Sequence, residues 1–119
     1  MIDVKGKRVF LSGPMSDDPD TYHLHDFADA HMALKKAGVR EVYDPAIEWL
    51  GEEGPVRTHE EYMRECINAL TSEDWDTGKG YYDMLVSIPG WHLSEGAKHE
   101  RLVAAWSGIP CYELHEVVE

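Results

Sequence analysis

Apolar runs and helix-spaced patterns alternate along this chain in the order strand, helix, strand, helix, strand, helix, strand. Such alternation predicts an α/β domain built on a parallel sheet. Val9-Phe10-Leu11 is a short apolar run that ends in the turn signal Ser12-Gly13-Pro14. Leu24, Phe27, Ala28, His31 and Leu34 then recur at helical spacing up to Gly38, a residue suited to closing a helix. Glu41-Val42-Tyr43 reads as a second strand closed by Asp44-Pro45, and residues 46–57, rich in Gly, Glu and Pro, read as a loop with a short helical turn.

Thr58-His59-Glu60-Glu61 matches a capping box, which predicts a helix from there to about Leu70 with Tyr62, Cys66, Ala69 and Leu70 facing inward. The polar, Gly-containing stretch from Thr71 to Tyr81 interrupts the pattern and reads as a surface insertion, a lid or an interface. Met84-Leu85-Val86-Ser87-Ile88 is the third strand and ends in Pro89-Gly90-Trp91. Ser94 caps a helix that continues to Ser107; Gly108 stops it before the fourth strand, Pro110 to Leu114. The expected fold is one small three-layer α/β domain over residues 1–119, flavodoxin-like or Rossmann-like, with a mostly parallel sheet of four or five strands.

The last helix carries the most informative position. Helical spacing puts Gly96, Ala97, Val103 and Ala104 around Glu100 on one face. A carboxylate in a stripe of small apolar residues must reach an opening or lose hydration, and lost hydration raises its pKa. A rotated helix, with Glu100 paired to Lys or Arg at the surface, is the plain alternative.

Right-handed crossovers bring the C-terminal ends of the first and third strands to one edge of the sheet, the edge at which open α/β sheets bind ligands. The loop Gly13-Pro14-Met15, the loop Pro89-Gly90-Trp91 and the helix start at Ser94 would meet there. A helix N-terminus can hold an anion, and Gly96 would let a phosphate approach closely; close packing explains a small residue there equally well. Met15 and Tyr22 are candidate pocket walls or simple packing residues, and Trp91 is either a stacking platform for a base or a plug beside Pro89.

Composition narrows the partner. The chain has 119 residues, 43% of them hydrophobic, enough for one core and too few for two domains. A net charge of −12 and a pI near 4.9 argue against a nucleic-acid polymer and leave a free nucleotide possible. Cys66 falls in a predicted helix and Cys111 in a predicted strand, a usage that fits reduced, packed thiols and a cytoplasmic location. The first residues carry no long apolar stretch, so neither a signal peptide nor a membrane span is expected, and no membrane partner. His23, His25 and His31 lack the spacing of a zinc site, so no metal is expected.

Taken in order, Ser12-Gly13-Pro14-Met15, Asp83 leading into the third strand, Pro89-Gly90-Trp91, then Ser94, Gly96-Ala97 and Glu100 resemble the nucleoside 2-deoxyribosyltransferase superfamily, in particular its small bacterial and phage branch. The resemblance runs from Arg8 to Leu114. It implies cleavage of the bond between a base and 2-deoxyribose, without a cofactor, by transfer to another base or to water. It makes Glu100 the nucleophile and puts Asp83 at the end of the same cleft, contacting the base or assisting its protonation; a turn-capping aspartate is the alternative. Ser94, six residues before Glu100, stands where nucleotide-using relatives carry a serine, which favours a nucleoside 5′-monophosphate over a free nucleoside. Ser12, Gly13, Pro14, Met15, Tyr22, Gly90, Trp91, Ser94 and Gly96 complete the implied substrate site. In many relatives the middle helix holds an acid facing the base; here the turn reads Arg64-Glu65-Cys66-Ile67, with Cys66 in its place and Glu65 about 100° away around the helix. A non-catalytic nucleotide-binding module therefore stands as the second reading. Relatives assemble as dimers or larger, so a homodimer or higher homo-oligomer is expected.

Overall fold

A computed structural model of the chain describes residues 1–13, 23–45 and 59–118, with the backbone alone for residues 23–25, 59 and 62. Strand β1 (Arg8–Ser12) leads to helix α1 (His23–Lys36), β2 (Glu41–Tyr43), α2 (His59–Leu70), β3 (Met84–Ser87), α3 (Glu95–Trp106), β4 (Cys111–Glu113) and the short α4 (Leu114–Val117). The four strands form one all-parallel sheet in the order β2-β1-β3-β4, so the expected three-layer α/β architecture is the observed one. The strand order reverses at β1, with β2 added on one side and β3 and β4 on the other, which makes the carboxyl ends of β1 and β3 the topological switch point.

Alternation along the strands assigns side chains to the two faces. Val9 and Leu11 of β1 join Met84 and Val86 of β3 and Ile88 in a core with Phe27, Ala30 and Leu34 of α1 and Val117 of α4. Phe10 and Leu85 point the other way, into a second core with Cys66 and Leu70 of α2, Ala104 of α3 and Ile109. Register fixes Phe10 opposite Leu85 and Ser12 opposite Ser87, so both serines share the α2/α3 face. Each fully buried Leu, Phe or Ile contributes roughly 1.5–3 kcal/mol relative to exposure, and the two cores together hold the layers in place.

Helix ends follow the local chemistry. Gly38 takes φ 94°, and its N–H and that of Val39 close on the carbonyls of Lys35 and Leu34, a turn that a residue with a Cβ adopts only at a cost. The Ser94 hydroxyl accepts from the Ala97 N–H at 3.2 Å, the cap read from the sequence. On α1 the buried stripe is Phe27, Ala30 and Leu34, whereas Ala28 is exposed. Glu113 and Glu116 form a capping box that starts α4, so the fourth strand stops at Glu113 and a helical turn follows where more strand was expected. The expected Thr58 cap, the loop over residues 46–57 and the side chains of Leu24 and Tyr62 lie outside the described residues.

The segment from Thr71 to Tyr81 docks at the amino ends of the strands. The Arg8 guanidinium bonds the Asp74 carboxylate and lies 4.2 Å over the Tyr81 ring, and the Tyr81 hydroxyl donates to Glu41. Asp74 also accepts from the backbone of Asp76 and Thr77, and a bridge joins Glu73 to Gly80. These contacts hold the segment at the edge opposite the switch point, which removes it as a lid over that site. Among the described residues no helix is long and apolar enough to cross a membrane.

Candidate active site

Glu100 is 2% exposed, on the face of α3 that also buries Ala97 and Ala104. The small side chains of that face allow α3 to lie close to the sheet, and the carboxyl of Glu100 reaches the carboxyl end of β1. There the Ser12 hydroxyl donates to Oε1 at 2.9 Å. Oε2 is buried and has no hydrogen-bond partner among the described residues. Burial pushes the carboxyl up to about 7 from an ordinary 4.5; the Ser12 hydroxyl and the Cys66 thiol, both beside the carboxyl, offset only part of that rise. The surface-paired alternative for Glu100 is thereby excluded.

The cost of this arrangement makes it a candidate site. A buried polar atom without a partner costs on the order of 1–3 kcal/mol, more if charged. An apolar residue at position 100 would avoid that cost. A carboxyl near half-ionisation at neutral pH, with one oxygen fixed and the other uncommitted, can attack an electron-poor carbon, stabilise a developing cation or exchange a proton.

Gly13 follows Ser12 and has no room for a side chain: an added Cβ would lie 2.2 Å from Cγ1 of Ile88. The Ile88 N–H donates to the Ser12 carbonyl at 2.9 Å, so β1 and β3 stay paired right up to the switch point. Ser87, the register partner of Ser12, is buried, and its hydroxyl accepts from Arg101 at 2.9 Å. The Arg101 guanidinium also lies 4.1 Å over the Trp91 ring, and the Trp91 indole N–H donates to Glu113 at 3.1 Å. Gly90, at φ 88°, makes the turn that brings Trp91 into this position. Gly90 and Trp91 line a pocket of about 420 Å³ with Ser87, Glu113, Leu114 and Val118.

Other expected residues fall elsewhere. Gly96 lies against the Met63 sulfur, 3.0 Å from where a Cβ would stand, and lines a groove of about 540 Å³ between α2 and α3; its small size serves helix packing. Ser94 spends its acceptor on the helix cap and keeps a hydroxyl proton to donate, while the neighbouring Glu95 carboxylate is held below its usual range by Lys98 at 2.9 Å. Asp83 precedes β3 and accepts from the Arg8 N–H at 2.8 Å, so it sits at the amino edge of the sheet, the full length of a strand away from Glu100. Its bond ties the start of β3 to the start of β1, away from the cleft expected for it. Pro14, Met15 and Tyr22 lie outside the described residues.

Sequence reasoning passed over Ser87, Arg101 and Glu113. Arg101 was the readable one, since a residue beside Glu100 on a helix leans about 100° away and so toward the neighbouring strand. Cys66, expected on the inner face of its helix and at the position of the relatives' acid, is 1% exposed and lies beside the Glu100 carboxyl. His31 pairs with the buried Asp44 at 2.8 Å, and among the described residues no three side chains are grouped to hold a metal. Both cysteines are free thiols.

No curated protein and no solved structure matches the chain. A family model does match, over residues 7–112, which takes in Ser12, Ser87, Trp91, Glu100 and Arg101. The chain belongs to that family, the domain of unknown function DUF4406.

Proposed function

We propose that this protein cleaves the N-glycosidic bond of a 2-deoxyribonucleoside 5′-monophosphate, or of the nucleoside, by hydrolysis or deoxyribosyl transfer, with Glu100 as the nucleophile. One observation carries the reading: a buried carboxyl at the switch point with Oε1 held by Ser12 and Oε2 without a hydrogen-bond partner among the described residues. In the proposed reaction Oε2 bonds to the anomeric carbon as the carbon–nitrogen bond breaks. The electron pair leaves with the base, which takes a proton from solvent water, and the proton released when water or the second base attacks restores the balance. Water or a second base then attacks the same carbon and returns the Glu100 carboxylate. Ser12 orients the carboxyl, and Ser94 with the first turn of α3 receives the phosphate. The resemblance adds Pro14, Met15 and Tyr22 to the sugar side.

A non-catalytic nucleotide-binding module is the second reading. It is favoured by Cys66, which stands where the resemblance puts an acid, and by the distance of Asp83, which together leave no second carboxylate acting on Glu100 among the described residues. Chromatography of deoxynucleosides and their monophosphates, incubated with wild type and with Glu100→Ala, separates the two. Base released by wild type alone supports cleavage. No release from any of them, with ligands still raising the melting temperature, leaves the binding module.

Assembly as a homodimer or larger belongs to the same reading, and the full exposure of Trp75 at 101% and of Trp106 at 79% fits a contact surface. Sedimentation velocity tests it. A cytoplasmic location agrees with the two free thiols.

A further inference from the structure

The pocket beside β3 and β4 is built around an indole that is fixed before any ligand arrives. Trp91 is half-buried, with the Arg101 guanidinium 4.1 Å over one face and its N–H given to Glu113 at 3.1 Å. The Glu113 carboxylate is itself tied down, because it also accepts from the backbone at the start of α4. Arg101 is anchored in turn by the buried Ser87 hydroxyl at 2.9 Å. An indole whose polar N–H is already taken offers a ligand π-surface and little else. Pro89, Leu114 and Val118 add apolar wall, and the volume of about 420 Å³ lies in the range of small-ligand sites.

We infer that this pocket binds a planar heteroaromatic ring by stacking on Trp91, with Arg101 and Glu113 as the positioning residues that hold the indole. The inference deepens the proposed function, for there the ring is the base of the substrate or of the acceptor. Ser87 lines the pocket and is the register partner of Ser12, which bonds Glu100, so ring site and carboxyl are built on adjacent strands at the same sheet edge. Recognition by stacking tolerates different rings, since each has a π-face, and the pocket accordingly selects flatness ahead of a particular hydrogen-bond pattern.

Calorimetric titration tests this with named probes: adenine, 2′-deoxyadenosine 5′-monophosphate and thymidine 5′-monophosphate, with 2-deoxyribose 5-phosphate as the ring-free control. Trp91→Leu is expected to weaken the three ring probes by roughly tenfold or more and leave the control unchanged, while Trp91→Phe stays close to wild type. In wild type the ring probes are expected to quench tryptophan fluorescence, and Trp91→Phe to lose that quenching while keeping its affinity. Arg101→Met is expected to weaken the ring probes alone. If Trp91→Leu does not fold, Val118→Trp, which fills the pocket, must weaken the same probes. Ring probes that fail to bind wild type, or bind Trp91→Leu or Val118→Trp as well as wild type, overturn the inference. Turnover is not needed for any of these readings, so stacking on Trp91 in a protein that releases no base would sink the proposed cleavage and leave the ring site standing.

Discussion

Ser12 and Ser87 are register partners at the carboxyl ends of adjacent parallel strands, and consecutive residues of α3 grip them: Ser12 donates to Glu100 at 2.9 Å and Ser87 accepts from Arg101 at 2.9 Å. Two neighbours on a helix diverge by about 100°, so one reaches β1 and the next reaches β3. The pair ties a buried acid and a half-buried base to the same sheet edge without bringing them into contact with each other.

Glu100 makes stability fall as pH rises. Its folded pKa of about 7 lies above the ordinary 4.5, so between those values the folded protein binds more protons than the unfolded chain. The stabilisation from the neutral carboxyl is complete below about 4.5 and gone above about 7, a change of about 3 kcal/mol in urea unfolding. Glu100→Gln, neutral throughout, is expected to unfold at higher urea than wild type at pH 8.5 and to lose that advantage at pH 4. An advantage of equal size at both pH values would contradict the burial of an ionisable Glu100.

On the proposed reaction the ionised carboxyl attacks, so kcat/KM should climb with pH through an apparent value of about 7. The Ser12 hydroxyl favours the ionised form, and Ser12→Ala is expected to move that limb to higher pH as well as to slow turnover. A pH–rate profile unmoved in Ser12→Ala would remove Ser12 from the role of orienting Glu100.

Gly13→Ala is expected to destabilise the fold by roughly 1–3 kcal/mol, because the new methyl collides with Ile88 Cγ1, a branch atom that cannot swing away, between two packed strands. Thermal unfolding in an Ile88→Ala background checks the cause: with Cγ1 and Cδ1 gone, Gly13→Ala should cost less there than in wild type.

Asp83→Ala should leave base release at the wild-type level and lower stability by about 1 kcal/mol, the worth of the bond from the Arg8 N–H at the amino edge. Turnover reduced tenfold or more would place Asp83 back in the chemistry.

Periodicity and punctuation made most of the fold legible. The runs Val9-Phe10-Leu11 and Met84-Leu85-Val86 are buried on both faces, which is why they read as parallel strands; Gly38 and Ser94 mark a helix end and a helix start by backbone chemistry that acts within a few residues. Glu100 was legible for the same reason, since i, i+3 and i+4 neighbours on a helix are fixed by geometry alone. The start of α4 was not, because Pro110 to Leu114 reads as a continuous strand until Glu113 and Glu116 exchange their capping bonds. Position in the sheet was not either. Asp83 lies next to a strand that leads to the site, yet it precedes that strand, and only the parallel pairing of β1 with β3 puts the two ends of β3 at opposite edges. Gly96 looked like room for a phosphate until Met63 of another helix took the space. The sequence by itself determined the four strands and three long helices, the caps at Gly38 and Ser94 and which residues share a face with Glu100, all set by neighbours a few residues apart. Tertiary structure alone decided that Ser12 meets Glu100, that Arg101 and Glu113 hold Trp91, and that Cys66 lies beneath the carboxyl, because each joins segments brought together only by strand order and layer packing.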